Sequence, residues 1–161
     1  MVDFYKKFLG ATASFENELL SFLSYDDEHH RIAIAGIPGT SSQKPGTAGL
    51  DHTAFAFDTL DDLLLAYQQR KDLDILPVWC VNHGPTTSIY YADPDGNKIE
   101  TQVDNFDTAE EATEFMMSNK FRENPIGTNF DPDELIHKLR NGVSAEDLKV
   151  RVEIGPRGVS P

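Results

Sequence analysis

Ser88-Ile89-Tyr90-Tyr91-Ala92-Asp93-Pro94-Asp95-Gly96-Asn97-Lys98-Ile99-Glu100 holds two β-forming runs around one turn whose Pro and Gly punctuate it strongly. A five-residue loop from Asp93 to Asn97 pairs Ala92 with Lys98, which sets Tyr90 directly opposite Glu100 on one face of a hairpin. Upstream, Leu73 to Val81 reads as a strand. Thr59-Leu60-Asp61-Asp62 resembles a capping box opening an amphipathic helix to about Lys71, and Leu50 to Phe57 alternates as a strand. The order is βαβββ. Such a unit curls so that its first and last strands line one concave surface, which brings His52 towards Glu100. Two imidazoles and one carboxylate that leave coordination positions open form the facial triad of non-haem Fe(II) oxygen chemistry, and two of those three groups stand here.

The first half repeats this order incompletely. Val2, Tyr5, Phe8 and Leu9 have helical spacing and Gly10 follows as a C-cap, while Leu19–Tyr25 and His30–Gly36 read as a hairpin around Asp26-Asp27-Glu28-His29. Pro38 to Gly49 is rich in Gly, Ser, Thr and Pro and reads as a connector. The resulting expectation is an α+β fold of paired βαβββ modules forming a curved mixed sheet around a metal cavity. The modules occupy residues 1–48 and 49–105, the first lacking its opening strand. The helix entering at Met1 has no N-cap, so the chain is expected to begin inside a module. Thr108 with Glu111, Asp131 with Pro132 and Glu134, and Ser144 with Asp147 mark capped helices of a third region, 106–161, whose acidic first turns suit helix N-termini.

A formal charge of −13 argues against nucleic acid and anionic membrane as partners, and no apolar run approaches the ~18 residues of a membrane span. Cys80 is the only cysteine, which excludes an internal disulfide and makes a cytoplasmic location the expectation. A small molecule is the expected ligand.

Phe4-Tyr5-Lys6-Lys7-Phe8-Leu9-Gly10 resembles the helix end of vicinal oxygen chelate modules, the glyoxalase/bleomycin resistance/dioxygenase fold, and Leu50-Asp51-His52-Thr53-Ala54-Phe55 resembles their ligand-bearing first strand. Asn82-His83-Gly84, then Ser88-Ile89-Tyr90-Tyr91, then Asp93 through Glu100, are similar in order to the second-module signature of type I extradiol ring-cleavage dioxygenases. The matches touch most of residues 2 to 103. The resemblance implies Fe(II), with Mn(II) or Zn(II) as alternatives, held by His52, Glu100 and a third ligand in an opening strand ahead of Met1. It implies O2 and a small aromatic diol as substrates and aromatic compound catabolism as the setting; the strand edge left unpaired by the missing opening strand makes a homo-oligomer the expected assembly. It gives His30 and His83 proton-handling positions near substrate and oxygen, and Tyr90 a hydrogen bond to a substrate oxygen. His29 should face the surface, Tyr91 the core, and His137 should lie exposed on a tail helix. Phe55, Phe57, Trp79 and Ile89 are candidates to line the cavity. Other vicinal oxygen chelate chemistry of glyoxalase or epimerase type, and a non-catalytic small-molecule binder of the same fold, are the alternatives.

Overall fold

Helix α1 (Val2–Leu9) ends where Gly10 takes the left-handed conformation at φ 64°, and it buries Tyr5 and Phe8. The computed structural model describes residues 1–44 and 46–158. After α1 come β1 (Thr12–Glu16), β2 (Leu20–Ser24) and β3 (Ile32–Ala35), an antiparallel sheet in that order. It adds β1 to the expected hairpin. His30 was expected to open the strand, but β3 begins at Ile32; His30 instead ends the polar turn, its ring stacked on His29 and tilted against Phe22. One long edge of β3 has no strand beside it among the described residues.

The second sheet contains β4 (His52–Phe57), β5 (Trp79–Asn82), β6 (Thr86–Ala92) and β7 (Lys98–Asp104), with helix α2 (Leu60–Asp72) crossing from β4 to β5. Its order is β4-β7-β6-β5-β8, where β8 is Thr128–Asn129. Strands β4 and β7 run parallel, as a helical crossover allows, and β6 pairs antiparallel with β7 in the register set by the Asp93–Asn97 turn. Asp93 builds that turn: its Oδ1 accepts from the backbone N–H groups of Asp95 and Asn97, and its Oδ2 accepts from Tyr5 Oη of α1 at 3.0 Å. The turn therefore also fastens the first half of the chain to the second.

The strand expected over Leu73–Val81 is shorter. Ile75 N–H donates back to Arg70 O, Asp74 takes φ 60°, and Pro77 has no N–H to give, so the first bond to β6 is Val78 N–H to Tyr90 O at 2.8 Å and the strand itself begins at Trp79. Thr59 caps α2 by accepting from Asp62 N–H, and Leu60, Leu63, Leu64 and Tyr67 of α2 pack on Ile89, Tyr91, Ile99 and Val103. Tyr5 and Phe8 of α1 join this same core. Strand parity therefore turns Ile89, Phe55 and Phe57 towards the helices. They do not lie on the face shared by Tyr90, Glu100 and His52, and of the four candidate lining residues only Trp79 does.

Beyond β7 the helices are α3 (Ala109–Met117), α4 (Asn119–Glu123), α5 (Pro132–Arg140) and α6 (Ala145–Lys149). Thr108 and Glu111 form the expected capping box, and Asp131 and Ser144 cap α5 and α6. This region is more than a solvated helical tail. It lends β8 to the sheet and buries Asn124, Leu135, Ile136 and Arg151. Among the described residues no helix is long and apolar enough to cross a membrane.

Candidate active site

In the parallel ladder Ala54 stands beside Glu100 and His52 beside Lys98, so His52 reaches Glu100 on the diagonal of one face. His52 Nε2 lies 2.9 Å from Glu100 Oε2. Tyr90, directly across from Glu100, donates its hydroxyl proton to Glu100 Oε1 at 2.8 Å, and the same hydroxyl lies 3.0 Å from His83 Nε2. His83 Nδ1 lies 2.6 Å from Ile126 O, and His52 Nδ1 lies 2.8 Å from Asp51 Oδ2. One continuous run thus joins Ile126, His83, Tyr90, Glu100, His52 and Asp51. Trp79 stacks on Tyr90 with ring centroids 5.0 Å apart and is pinned by its indole N–H to Asn129 Oδ1. Glu100 is 4% exposed, whereas the His52 side chain is 33% exposed, so the run opens to solvent at His52.

Counting protons along the run shows what it lacks. A backbone carbonyl only accepts, so His83 carries its proton on Nδ1 and leaves Nε2 as an acceptor. Tyr90 then has one proton and two acceptors within reach. Burial pushes the Tyr90 phenol well above its usual value, with the hydrogen bond to Glu100 adding to the effect, so it stays protonated. At the other end, His52 donating Nδ1–H to Asp51 turns the Nε2 lone pair towards a carboxylate oxygen. Two electron-rich atoms so placed need a proton or a cation between them. His52, and then Lys98, hold the Asp51 carboxyl below the usual carboxylate range, so it remains an acceptor that fixes the imidazole.

The pair fits a divalent ion. Neighbouring ligands at ~2.1 Å from a metal in octahedral geometry stand about 3 Å apart, close to the His52–Glu100 spacing. A carboxylate oriented on the far nitrogen is the usual support of a metal-binding histidine. Among the described residues no group of three His, Cys, Asp or Glu side chains is placed to hold a metal ion.

His30 is not brought to this run; its ring partners are His29 and Phe22. His137 is exposed on α5 and bonded to Asn141, and Tyr91 is buried in the core. Burial pushes the Cys80 thiol up to about 12, which leaves it an inert packing group. Sequence reasoning missed the Ile126 carbonyl, since a backbone acceptor leaves no residue signature. It also missed Asp51, although that residue adjoins His52.

Burial lowers the His83 pKa from the usual 6.5, and this outweighs the opposing pull of the Ile126 carbonyl. The unfolded chain therefore binds a proton more readily than the folded one. The stability contributed by neutral, half-buried His83 is fully present above pH 6.5 and is lost as pH falls through the depressed folded value. Urea titrations of metal-free protein should show stability declining below pH 6.5, with a shallower decline in His83→Gln. An equal slope in both proteins would rule out His83 as a source of the decline.

Residues 1–101 match the Glyoxalase/Bleomycin resistance protein/Dioxygenase superfamily. The chain is 44% identical over 153 residues to biphenyl-2,3-diol 1,2-dioxygenase 3 of Rhodococcus globerulus, covering 94% of this chain and 80% of that protein. It is 47% identical over 149 residues to biphenyl-2,3-diol 1,2-dioxygenase 2 of the same organism, covering 92% and 78%. A solved glyoxalase/bleomycin resistance protein/dioxygenase from Alicyclobacillus acidocaldarius shares the fold, at TM-score 0.51 and 15% identity over 65% of this chain and 81% of that one.

Proposed function

The chain belongs to the Glyoxalase/Bleomycin resistance protein/Dioxygenase superfamily, and we propose that within it the protein is an Fe(II)-dependent extradiol dioxygenase that opens a biphenyl-2,3-diol-type ring with O2. The observation that carries this reading is the His52–Glu100 pair, which meets on one sheet face with a protonated tyrosine and a neutral histidine in line behind it. The extent of identity to two biphenyl-2,3-diol dioxygenases supports the same reaction class.

His52 and Glu100 would hold the metal, and Asp51 would keep the His52 ring turned towards it. When bound, the metal would chelate the two vicinal oxygens of the diol and give electrons a path between ring and O2. The chain's own residues handle protons and shape. The Tyr90 hydroxyl, held protonated by burial, is placed to donate to an oxygen of the substrate beside Glu100. His83 Nε2, neutral and unprotonated, is placed to take a proton relayed through Tyr90 and return it later. Ala54 and Ala56 continue the His52 face of β4 with small, exposed side chains, leaving an open apolar shelf beside the pair where an aryl substituent can lie.

Protein loaded with Fe(II) under anaerobic conditions and then given biphenyl-2,3-diol and 18O2 tests the reading. It should consume one O2 per diol and yield a conjugated product carrying a carboxylate and a ketone, with label in both. Protein loaded with Fe(II) or Mn(II) that consumes no O2 with any catechol-type diol would overturn it.

A further inference from the structure

Arg151 lies in the chain after α6, far in sequence from the site, and only 2% of its side chain is exposed. All five of its N–H donors are used. Nε bonds Glu153 Oε1 at 3.2 Å, and Nη2 bonds Glu153 Oε2 at 2.9 Å and Lys120 O at 3.2 Å. Nη1 bonds Asn124 O at 2.8 Å and His83 O at 3.0 Å. Three carbonyls thus converge on one guanidinium, two from the end of α4 (Lys120 and its C-cap Asn124) and one from His83 itself. The loop between the other two and β8 is equally determined. Asn124 Oδ1 accepts from Gly127 N–H at 2.7 Å, Asn124 Nδ2 donates to Gly127 O at 3.2 Å, and Arg157 Nη1 donates to that same carbonyl at 3.0 Å. Closing the loop this way delivers Ile126 O to His83 Nδ1.

We propose that Arg151 is a positioning residue for His83: by tying the His83 carbonyl to Lys120 and Asn124 it holds the Ile126 carbonyl on Nδ1 and so presents Nε2 to Tyr90. The geometric part stands on these contacts, and only the catalytic consequence rests on the ring-cleavage reading. A satisfied surface arginine would not need this arrangement. A guanidinium offers a planar fork that can reach three carbonyls and a carboxylate together, whereas the lysine ammonium has three donors at one point. An imidazole in the other tautomer would turn an N–H towards Tyr90 and remove the acceptor. Which tautomer forms is set by the partner of the other ring nitrogen.

The test is 15N spectroscopy of histidine-labelled, metal-free protein, with the His83 signals assigned through their loss in His83→Gln. The native protein should show His83 protonated at Nδ1. Arg151→Lys should shift His83 towards a mixture of tautomers and lower kcat of the iron-loaded enzyme about tenfold, with KM changed less than about twofold, as expected of a small misplacement. In the His83→Gln background the same substitution should cause no further loss of kcat. Glu153→Gln, at an exposed acceptor, loosens the same guanidinium without entering the core. It should move both readouts the same way by about twofold, and it serves where Arg151→Lys does not fold. An unchanged His83 tautomer in the folded variants, or an equal loss of kcat in the His83→Gln background, would overturn the inference while leaving ring cleavage intact. A tautomer that shifts with Arg151 in a protein inert towards diols would keep the positioning role and overturn the function instead.

Discussion

Glu100→Gln is expected to lower ring cleavage about a thousandfold and metal affinity by well over a hundredfold, since even partners one step removed from a metal are worth about ten- to a hundredfold. The change is close to isosteric. Its carbonyl oxygen still accepts the Tyr90 hydroxyl, and its amide N–H can point at the His52 Nε2 lone pair that now faces a carboxylate oxygen. The metal-free fold should therefore persist with stability equal to or above the native value, because one buried negative charge has been removed from a site 4% exposed. The loss is then chemical rather than structural. Iron content after anaerobic loading, oxygen uptake with biphenyl-2,3-diol, and urea unfolding of the metal-free protein together check it. Near-native iron binding and turnover in Glu100→Gln would remove Glu100 from the site and the metal reading with it.

The part of the site that was legible in the sequence is the part that strand geometry dictates. The five-residue turn from Asp93 to Asn97 fixes the antiparallel register, and with it Tyr90 across from Glu100. The helix from Leu60 to Asp72 forces β4 to run parallel to its neighbour, and the parity of His52 then sets its face. The first inference uses only spacing and the second adds the curl of a βαβββ unit, and neither needs knowledge of what packs around them. Of the four candidate lining residues only Trp79 keeps to the site face, because Phe55, Phe57 and Ile89 share strands with site residues but have the opposite parity. The helices claim them for the core. His30 illustrates a different limit: the sequence shows an apolar run near it, but pairing begins two residues later, and nothing local says so. The region after Asp104 was legible as capped helices because caps are local hydrogen bonds between near neighbours. Its contribution to the site was not legible. Ile126 acts through a carbonyl, Arg151 acts on carbonyls, and an arginine in an acidic segment reads as one more surface charge until the chain is folded around it.

Gly127→Ala should be among the most damaging single-methyl additions in the chain, costing about 3 kcal/mol or more. Two independent penalties add. Gly127 has φ 97°, a conformation that costs an alanine about 1–2 kcal/mol. A Cβ there would stand 2.1 Å from Asn82 O, 2.7 Å from His83 Cα and 2.8 Å from Asn82 C. These are backbone atoms at the end of β5, held by pairing to β6 and β8, so they cannot yield as a side chain would. Gly84 makes the comparison. Its φ is 106° and an added Cβ would also overlap, but the atoms it meets belong to the Phe115 ring, which can turn aside. Gly84→Ala should therefore cost less than Gly127→Ala. In Gly127→Ala the Asn124–Gly127 turn must lift from the strand end, which takes Ile126 O away from His83 Nδ1 even in molecules that remain folded. Urea unfolding of the two metal-free variants measures the ordering. A loss under about 1 kcal/mol in Gly127→Ala, or a larger loss in Gly84→Ala, would mean that the loop sits on His83 far more loosely than these distances require.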